Sequence, residues 1–141
     1  MSLKKIFASP QDVEVAFYEA LEKADLEAMM AVWSEDDEIV CVHPGGPRMI
    51  GYAAIREAWQ RILGHGRQLG IELTQLTTLS TPFVVCHSFI ALIHVRAQQG
   101  VTAPVAVTNV YVKGASGWRM VAHHASPVPP DSLDEAPKVL H

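Results

Sequence analysis

The sequence predicts an α+β fold in which three N-terminal helices pack on a curved, mainly antiparallel sheet. Hydrophobic residues recur at helical spacing up to residue 63 and at a spacing of two from residue 69 onward. Turns that contain glycine or proline separate these segments. With 141 residues, of which 49% are hydrophobic, the chain can bury one core without a metal or a disulfide. We therefore expect one domain over residues 1–127 and a proline-rich, acidic tail over residues 128–141.

Three segments carry an apolar stripe at helical spacing, namely residues 13–24, 26–33 and 52–63. Ser9 can cap the first helix, and Pro10 suits its first turn. Asp25 can cap the second helix, and Gly51 leads into the third. Two helices are thus expected before the first strand and a third after it.

The other apolar segments have the character of strands. The first, residues 38–43, is short and β-branched, and the Pro-Gly-Gly-Pro sequence at 44–47 ends it. Four longer strands follow at residues 69–79, 83–96, 101–113 and 118–124. Short connections predict consecutive antiparallel strands. Because several are apolar on both faces, we expect one sheet face to meet the helices and the other to meet a second subunit.

Charge and cysteine content limit the possible partners and surroundings. The formal net charge of −4 argues against nucleic acid or an anionic membrane as the main partner. The longest apolar stretch, residues 83–95, is too short to span a membrane and contains polar residues. Cys41 and Cys86 both lie in apolar runs, which predicts two buried thiols. The first eight residues do not resemble a signal peptide, so we expect a cytoplasmic protein.

The order of these elements resembles the NTF2-like superfamily, particularly its SnoaL-like and ketosteroid-isomerase-like cone-shaped domains. The residues that carry the resemblance are Trp33, Val42, His43, Pro44, Gly51 to Arg56, Trp59, Thr108 to Tyr111, Gly117 to Val121 and His124 to Ser126. The resemblance implies a deep pocket between sheet and helices and a homodimer formed through the sheet. The superfamily includes isomerases, cyclases, dehydratases, transport factors and kinase association domains, so the fold alone does not decide the function.

The region that forms most of the predicted sheet contains no acidic residue between Glu72 and Asp131. Steroid isomerases of this fold use carboxylic acids, one of which lies on the sheet. The acids nearest to the expected pocket are Asp36, Asp37 and Glu38, in a polar segment before the first strand. A direct copy of the isomerase mechanism is therefore not expected. Histidines and cations on the sheet would favour an anionic ligand if they faced inward.

His124 is the candidate general base. Regular strand alternation places it on the same face as Trp118 and Met120, and it matches the histidine of the family's closing strand. A neutral imidazole can accept a proton near neutral pH. The alternative is a structural histidine that bonds to a backbone carbonyl or to Ser126.

Six further residues are candidate ligand-binding residues: Tyr18, Trp33, His43, Trp59, Asn109 and Ser126. His43 ends the first strand and could face the mouth of the pocket or water. Asn109 is in register with apolar neighbours, so its amide could orient a ligand or bond to another side chain. Trp33 and Trp59 lie in helical stripes and could be core or pocket wall.

Three functional hypotheses remain open. The first is a small-molecule binding protein for a hydrophobic or acidic ligand, with isomerase, cyclase or lyase activity as an extension. The second is an oligomerisation module that resembles the calcium/calmodulin-dependent kinase association domain. The third is an acid–base enzyme that uses His124. No cofactor is expected. A metal site is not expected either, because His87 and His94 lie on opposite faces of their strand, as do His123 and His124.

Overall fold

The computed structural model describes residues 5–66, 69–95 and 102–129. Within these residues it contains three helices and one six-stranded, mostly antiparallel sheet, which confirms the α+β class. The helices are α1 (Pro10–Lys23), α2 (Leu26–Ala31) and α3 (Tyr52–Leu63). The strands are β1 (Val40–Val42), β2 (Arg48–Ile50), β3 (Leu69–Ser80), β4 (Val84–Val95), β5 (Thr102–Gly114) and β6 (Gly117–Pro127). Only α1 and α2 precede the sheet, because α3 lies between β2 and β3.

The strand order across the sheet is β2-β1-β6-β5-β4-β3. Strands β3 to β6 form the four consecutive antiparallel strands that the sequence predicts. Strand β1 instead pairs in parallel with β6, so that Cys41 lies opposite His123. This pairing brings the end of the first strand, and His43 after it, beside the last strand.

Strand β2 was not predicted. The chain reverses after His43, where the Gly46 N–H donates to the His43 carbonyl at 2.8 Å, and it returns antiparallel to β1 with Ile50 opposite Val40. The glycines and prolines of this segment indicated the end of a strand. A three-residue strand is too short to show a period of two, so the sequence gives no sign that the chain pairs again.

The predicted helix caps are confirmed. The Ser9 Oγ accepts from the Asp12 N–H at 3.1 Å, and the Asp25 Oδ1 accepts from the Ala28 N–H at 3.0 Å. Each bond satisfies a backbone donor that the helix itself leaves unpaired, which is typically worth about 1 kcal/mol. Helix α1 buries Val13 and Phe17 beneath it. The Ser9 cap thereby fixes the start of α1, the helix that covers the inner face of the sheet.

A β-bulge in β6 reverses the alternation of its side chains. Tyr111 of β5 pairs with Met120, and the next pair along the ladder skips Val121. One extra residue moves all following side chains to the other face. His123 is therefore buried with 5% of its surface exposed, whereas His124 is exposed on the opposite face. The predicted placement of His124 on the same face as Met120 is wrong, and His123 takes the inward position.

Both cysteines are free thiols, but only one is deeply buried. Cys41 is fully buried, as predicted, whereas Cys86 is partly exposed. Cys86 alternates with the buried residues Val85 and His87 along β4, so its side chain lies on the outer face of the sheet. The prediction that both thiols are buried is therefore only half correct.

Past the predicted end of the domain, the Val128 N–H still donates to the Pro104 carbonyl at 3.2 Å. Of the tail predicted over residues 128–141, residues 130–141 lie outside the described residues. Among the helices that the structure does describe, none is long and apolar enough to cross a membrane.

Candidate functional site

A cavity of about 300 Å³ lies between α1, α3 and the inner face of the sheet. Its aromatic and imidazole side chains are Phe17, Tyr18, His43, Trp59 and His123. The rest of its wall consists of aliphatic side chains and one proline. Its volume is at the lower end of the range typical for small-molecule sites, and its mainly apolar wall is also typical of them.

The structure brings four of the predicted site residues together. Tyr18, His43 and Trp59 line the cavity, and Asn109 is fully buried directly behind His123. The ring centroids of His43 and Trp59 are 4.4 Å apart, and the centroid of His123 lies 6.5 Å from that of His43. The two histidines therefore face the same cavity from neighbouring strands.

Three predicted site residues do not lie at the cavity. His124 and Ser126 are exposed on the other face of β6 because of the bulge. Trp33 is buried in the main core, where it forms a backbone bridge with Met120. Trp33 also borders a separate surface groove of about 320 Å³ next to Arg119. Of the two interpretations left open for Trp33, core packing is the one that describes its position.

His123 is held by a short hydrogen bond behind the cavity wall. Its Nδ1 lies 2.6 Å from the Oδ1 of Asn109, and both side chains are buried. Its ring packs against Phe17 at a centroid distance of 4.8 Å. Because Nδ1 is engaged by Asn109, Nε2 is the ring nitrogen that remains for a ligand.

Behind His123, a chain of hydrogen bonds continues to helix α1. The Nδ2 of Asn109 donates to the Tyr111 hydroxyl at 3.2 Å, and this hydroxyl donates to the Glu14 Oε1 at 3.0 Å. The same carboxylate oxygen lies 2.8 Å from Nδ1 of His87, which is fully buried. Five side chains from one helix and three strands thus form a single buried polar network.

Glu14 corrects the expectation that the interior lacks acidic groups. This carboxylate comes from α1, not from the sheet or the polar segment at residues 36–38, and it is only 12% exposed. Glu14, Phe17 and Tyr18 are spaced at i, i+3 and i+4, which places them on one face of the helix. The spacing of Glu14 relative to two aromatic residues could have identified it as an inward-facing acid.

His43 and Cys41 form a second polar contact at the cavity. The Nε2 of His43 lies 3.1 Å from the Sγ of Cys41. Burial raises the pKa of the Cys41 thiol to about 12 and lowers the pKa of His43. Both groups are therefore neutral near pH 7, and their contact joins a thiol to an uncharged imidazole.

The environment of His123 also favours its neutral form. Burial, and to a lesser degree the nearby His43 and His124, lowers the pKa of His123 to about 3. A base this weak removes protons poorly at neutral pH. The ring is better suited to accept a hydrogen bond than to abstract a proton.

Two buried polar atoms on residues that line the cavity make no hydrogen bond of normal geometry among the residues that the structure describes. They are the hydroxyl of Tyr18 and the indole N–H of Trp59, and both atoms are buried. The Nε2 of His87, at the far end of the network, is also buried and makes no hydrogen bond to a described residue. In the described parts of the chain, no group of three histidine, cysteine or acidic side chains is arranged to hold a metal ion.

Comparison with known families accounts for this architecture. A family model of the SnoaL-like domain matches residues 11–131. The chain belongs to the SnoaL-like family. Solved structures of NTF2-like and ketosteroid-isomerase-like proteins also share its fold, so the resemblance to the NTF2-like superfamily is confirmed.

One curated relative of this SnoaL-like domain is an F-box protein, SKIP8, from Arabidopsis thaliana. It is 27% identical over 130 residues, which represent 92% of this chain and 52% of the relative. The chain thus spans about half the length of the curated relative that it matches.

Several solved structures are similar to this SnoaL-like domain. A candidate calcium/calmodulin-dependent protein kinase type II association domain from Thiobacillus denitrificans is 31% identical, with a TM-score of 0.82 and coverage of 89% of this chain and 99% of that chain. A candidate dehydratase of the NTF2-like family from Streptomyces avermitilis is 28% identical, with a TM-score of 0.76. The match covers 83% of this chain and 91% of that chain. A candidate ketosteroid isomerase from Parabacteroides distasonis shares the fold, with 16% identity and a TM-score of 0.70. The match covers 92% of this chain and 96% of that chain.

Proposed function

We propose that this SnoaL-like domain binds a small, predominantly apolar molecule in the cavity between its helices and sheet. The observation that carries the proposal is the apolar cavity of about 300 Å³ with the imidazoles of His43 and His123 on its wall. An apolar cavity with a few fixed polar groups is the usual form of a small-molecule site.

The charge of the wall favours an apolar ligand over an acidic one. The lining residues that the structure describes include no lysine, arginine, aspartate or glutamate. Arg119 instead donates to the backbone carbonyls of Trp118 and Lys5, and Lys113 is exposed. Arg96 lies outside the described residues. An anionic ligand would therefore lose its hydration without gaining a cation from the described wall.

Catalysis of the isomerase, cyclase or lyase type would be an extension of this binding function. The candidate dehydratase from Streptomyces avermitilis supports a lyase reaction as the first activity to assay. The lowered pKa of His123 weighs against strong general-base catalysis by this ring. Binding is for this reason the function that we propose, and turnover would be measured on ligands found by binding.

A ligand screen with a cavity-filling variant tests the proposal. Native mass spectrometry or calorimetry on the full chain would use a library of apolar alcohols, ketones and acids. Ala91 lines the cavity and is 1% exposed, so Ala91→Leu should fill part of the space and abolish binding. His124→Ala, on the outer face, should leave binding unchanged. Failure of the whole library to bind, or binding that Ala91→Leu does not weaken, would contradict the proposal.

The alternative function is an oligomerisation module, and two observations favour it. One is the 31% identity to the candidate kinase association domain from Thiobacillus denitrificans. The other is the exposure of three apolar side chains around the β3–β4 turn, namely Leu79, Phe83 and Val84. Such a group commonly marks a contact surface. The predicted homodimer through the sheet belongs to the small-molecule binding proposal, so only an assembly larger than a dimer would be specific to this alternative.

Light scattering distinguishes the two functions. A ring or other assembly larger than a dimer that persists in Ala91→Leu would support the oligomerisation module. A dimer that loses ligand binding in Ala91→Leu would support the binding protein. A monomer at micromolar concentration would contradict both the oligomerisation module and the homodimer.

A further inference from the structure

We infer that the cavity selects neutral ligands that carry a hydrogen-bond donor, an O–H or an N–H, because the buried network presents the unprotonated Nε2 of His123 to it. The inference rests on the proposed binding function and names the class of molecule that the site would take. It depends on the direction of each hydrogen bond between Glu14 and His123.

The direction of the network starts at the carboxylate of Glu14. An ionised carboxylate only accepts hydrogen bonds, so both of its contacts must donate to it. The Tyr111 hydroxyl, at 3.0 Å, therefore uses its single proton toward Glu14 Oε1, and His87 donates its Nδ1–H to the same oxygen at 2.8 Å. The Tyr111 oxygen then has only lone pairs left for its other neighbour.

This leaves one orientation for the amide of Asn109. Its Nδ2 lies 3.2 Å from the Tyr111 oxygen and donates to it. A flipped amide would place Oδ1 against a hydroxyl whose proton already points to Glu14, so that two acceptors would face each other in a buried site. Such a contact would leave both acceptors unpaired and raise the energy of the folded state. The Oδ1 of Asn109 is thereby directed toward His123.

The orientation of Asn109 determines the tautomer of His123. Because Oδ1 can only accept, the Nδ1 of His123 at 2.6 Å must carry the hydrogen. A neutral imidazole carries one hydrogen, so Nε2 holds a lone pair. Burial favours this uncharged form, as the lowered pKa of the ring indicates. Asn109, Tyr111 and Glu14 act as positioning residues for this acceptor.

An acceptor in an uncharged wall discriminates between ligands in three ways. A ligand hydroxyl or amide N–H can donate to Nε2, whereas a methyl group at the same place leaves Nε2 buried and unpaired. A carboxylate would bring its own lone pairs against that of Nε2 and find no cation in the described wall. An ammonium group would find no acid there, since Glu14 lies behind Asn109 and Tyr111. A neutral donor is the class that remains.

Three probes of similar shape test this selectivity: 2-naphthol, 2-methylnaphthalene and 2-naphthoate. We expect 2-naphthol to bind the wild-type protein at least about tenfold more tightly than 2-methylnaphthalene, the scale of one buried unpaired acceptor, and 2-naphthoate to bind most weakly. In His123→Phe the advantage of 2-naphthol should disappear while 2-methylnaphthalene still binds. Equal affinities of 2-naphthol and 2-methylnaphthalene for the wild type would overturn the inference and leave the proposed function intact. Binding of none of the three would overturn both.

The tautomer can be measured without any ligand. ¹⁵N NMR of the wild-type imidazoles should show a hydrogen-bearing Nδ1 and a bare Nε2 for His123 near pH 7. Asn109→Leu should remove this preference and reduce the advantage of 2-naphthol, which a purely structural role would not predict. A wild-type spectrum with the hydrogen on Nε2 would overturn the inference, whatever the variants do.

Discussion

The carboxylate of Glu14 on α1 lies 2.8 Å from the Nδ1 of His87 on β4, and it joins the first helix to the interior of the sheet. His87 is fully buried, and the carboxylate also accepts from the Tyr111 hydroxyl. Two buried donors thus depend on one oxygen atom. The cost of removing that oxygen is larger than the value of either bond alone, because each donor would be left unpaired.

Replacement of Glu14 should therefore destabilise the domain strongly. For Glu14→Leu we expect a loss of about 2–5 kcal/mol in the free energy of unfolding, since two buried donors lose their acceptor. Glu14→Gln keeps one carbonyl oxygen and should lose less. Urea denaturation measures both values. Glu19→Gln, on the exposed side of the same helix, is the control and should change stability by less than about 0.5 kcal/mol. A loss in Glu14→Leu no larger than that of the control would contradict the role of the network.

Tyr111 on strand β5 and Tyr18 on helix α1 should respond differently to removal of their hydroxyl groups. Tyr111→Phe removes the donor to Glu14 and the acceptor for Asn109, so we expect a loss of about 1–3 kcal/mol. Tyr18→Phe removes a buried hydroxyl that lies near the Asn109 amide but makes no hydrogen bond of normal geometry among the described residues. This change should be neutral or stabilising by up to about 1 kcal/mol. Thermal unfolding of the two variants checks the pair, and equal losses would show that the Tyr18 hydroxyl also makes a stabilising bond.

Gly117 should tolerate no side chain at the start of β6. Its φ is +90°, and a Cβ atom there would lie 2.6 Å from the carbonyl oxygen of Phe7. We expect Gly117→Ala to cost about 2–3 kcal/mol through backbone strain and displacement of the Phe7 segment. Gly114 lies in the same turn, and a Cβ atom there would have no neighbour within 4 Å, so Gly114→Ala should change stability by less than about 0.5 kcal/mol. The midpoint of urea unfolding compares them, and similar midpoints would refute the strain at Gly117.

The neutral, buried state of His123 should make stability depend on pH. Its pKa is about 3 in the folded protein and near 6.5 when the chain is unfolded. Between these values the unfolded state binds the extra proton, so stability falls as the pH is lowered through this window. From pH 7 to pH 5 this residue should account for a loss of about 2 kcal/mol.

Variants isolate this contribution from that of other groups. Urea denaturation at pH 7 and pH 5 should show a smaller loss in His123→Phe than in the wild type, because the phenyl ring cannot be protonated. His124→Ala, at the exposed neighbouring position, should keep the full wild-type loss. A pH dependence that is unchanged in His123→Phe would show that this imidazole is not held neutral by the fold.

The sequence predicted those elements whose hydrophobic period is sustained over many residues. Helix α3 spans residues 52–63 in both prediction and structure, because a glycine on either side marks its ends. The four long strands, β3 to β6, were also predicted, because their hydrophobic residues follow a period of two over many positions. Strand β2 was missed because three residues, Arg48–Ile50, are too few to establish a period.

The candidate site could be predicted only in part. Tyr18, His43 and Trp59, three of the candidate ligand-binding residues, line the cavity, and the position of each follows from its own helix or strand. The exchange of His124 for His123 could not be foreseen, because the bulge at Val121 has no glycine or proline to mark it. The partners of Glu14 lie far away in sequence, and such contacts are defined by the packing of the helix on the sheet rather than by any local pattern.

The parallel pairing of β1 with β6 joins Val40, in the first half of the domain, to Ala122, near its end. During synthesis the β1–β2 hairpin must wait for the last strand to leave the ribosome before it can join the sheet. The wall that carries His123 is therefore completed last, and a nascent chain stalled before residue 117 should stay open to proteases however well its first helices have formed.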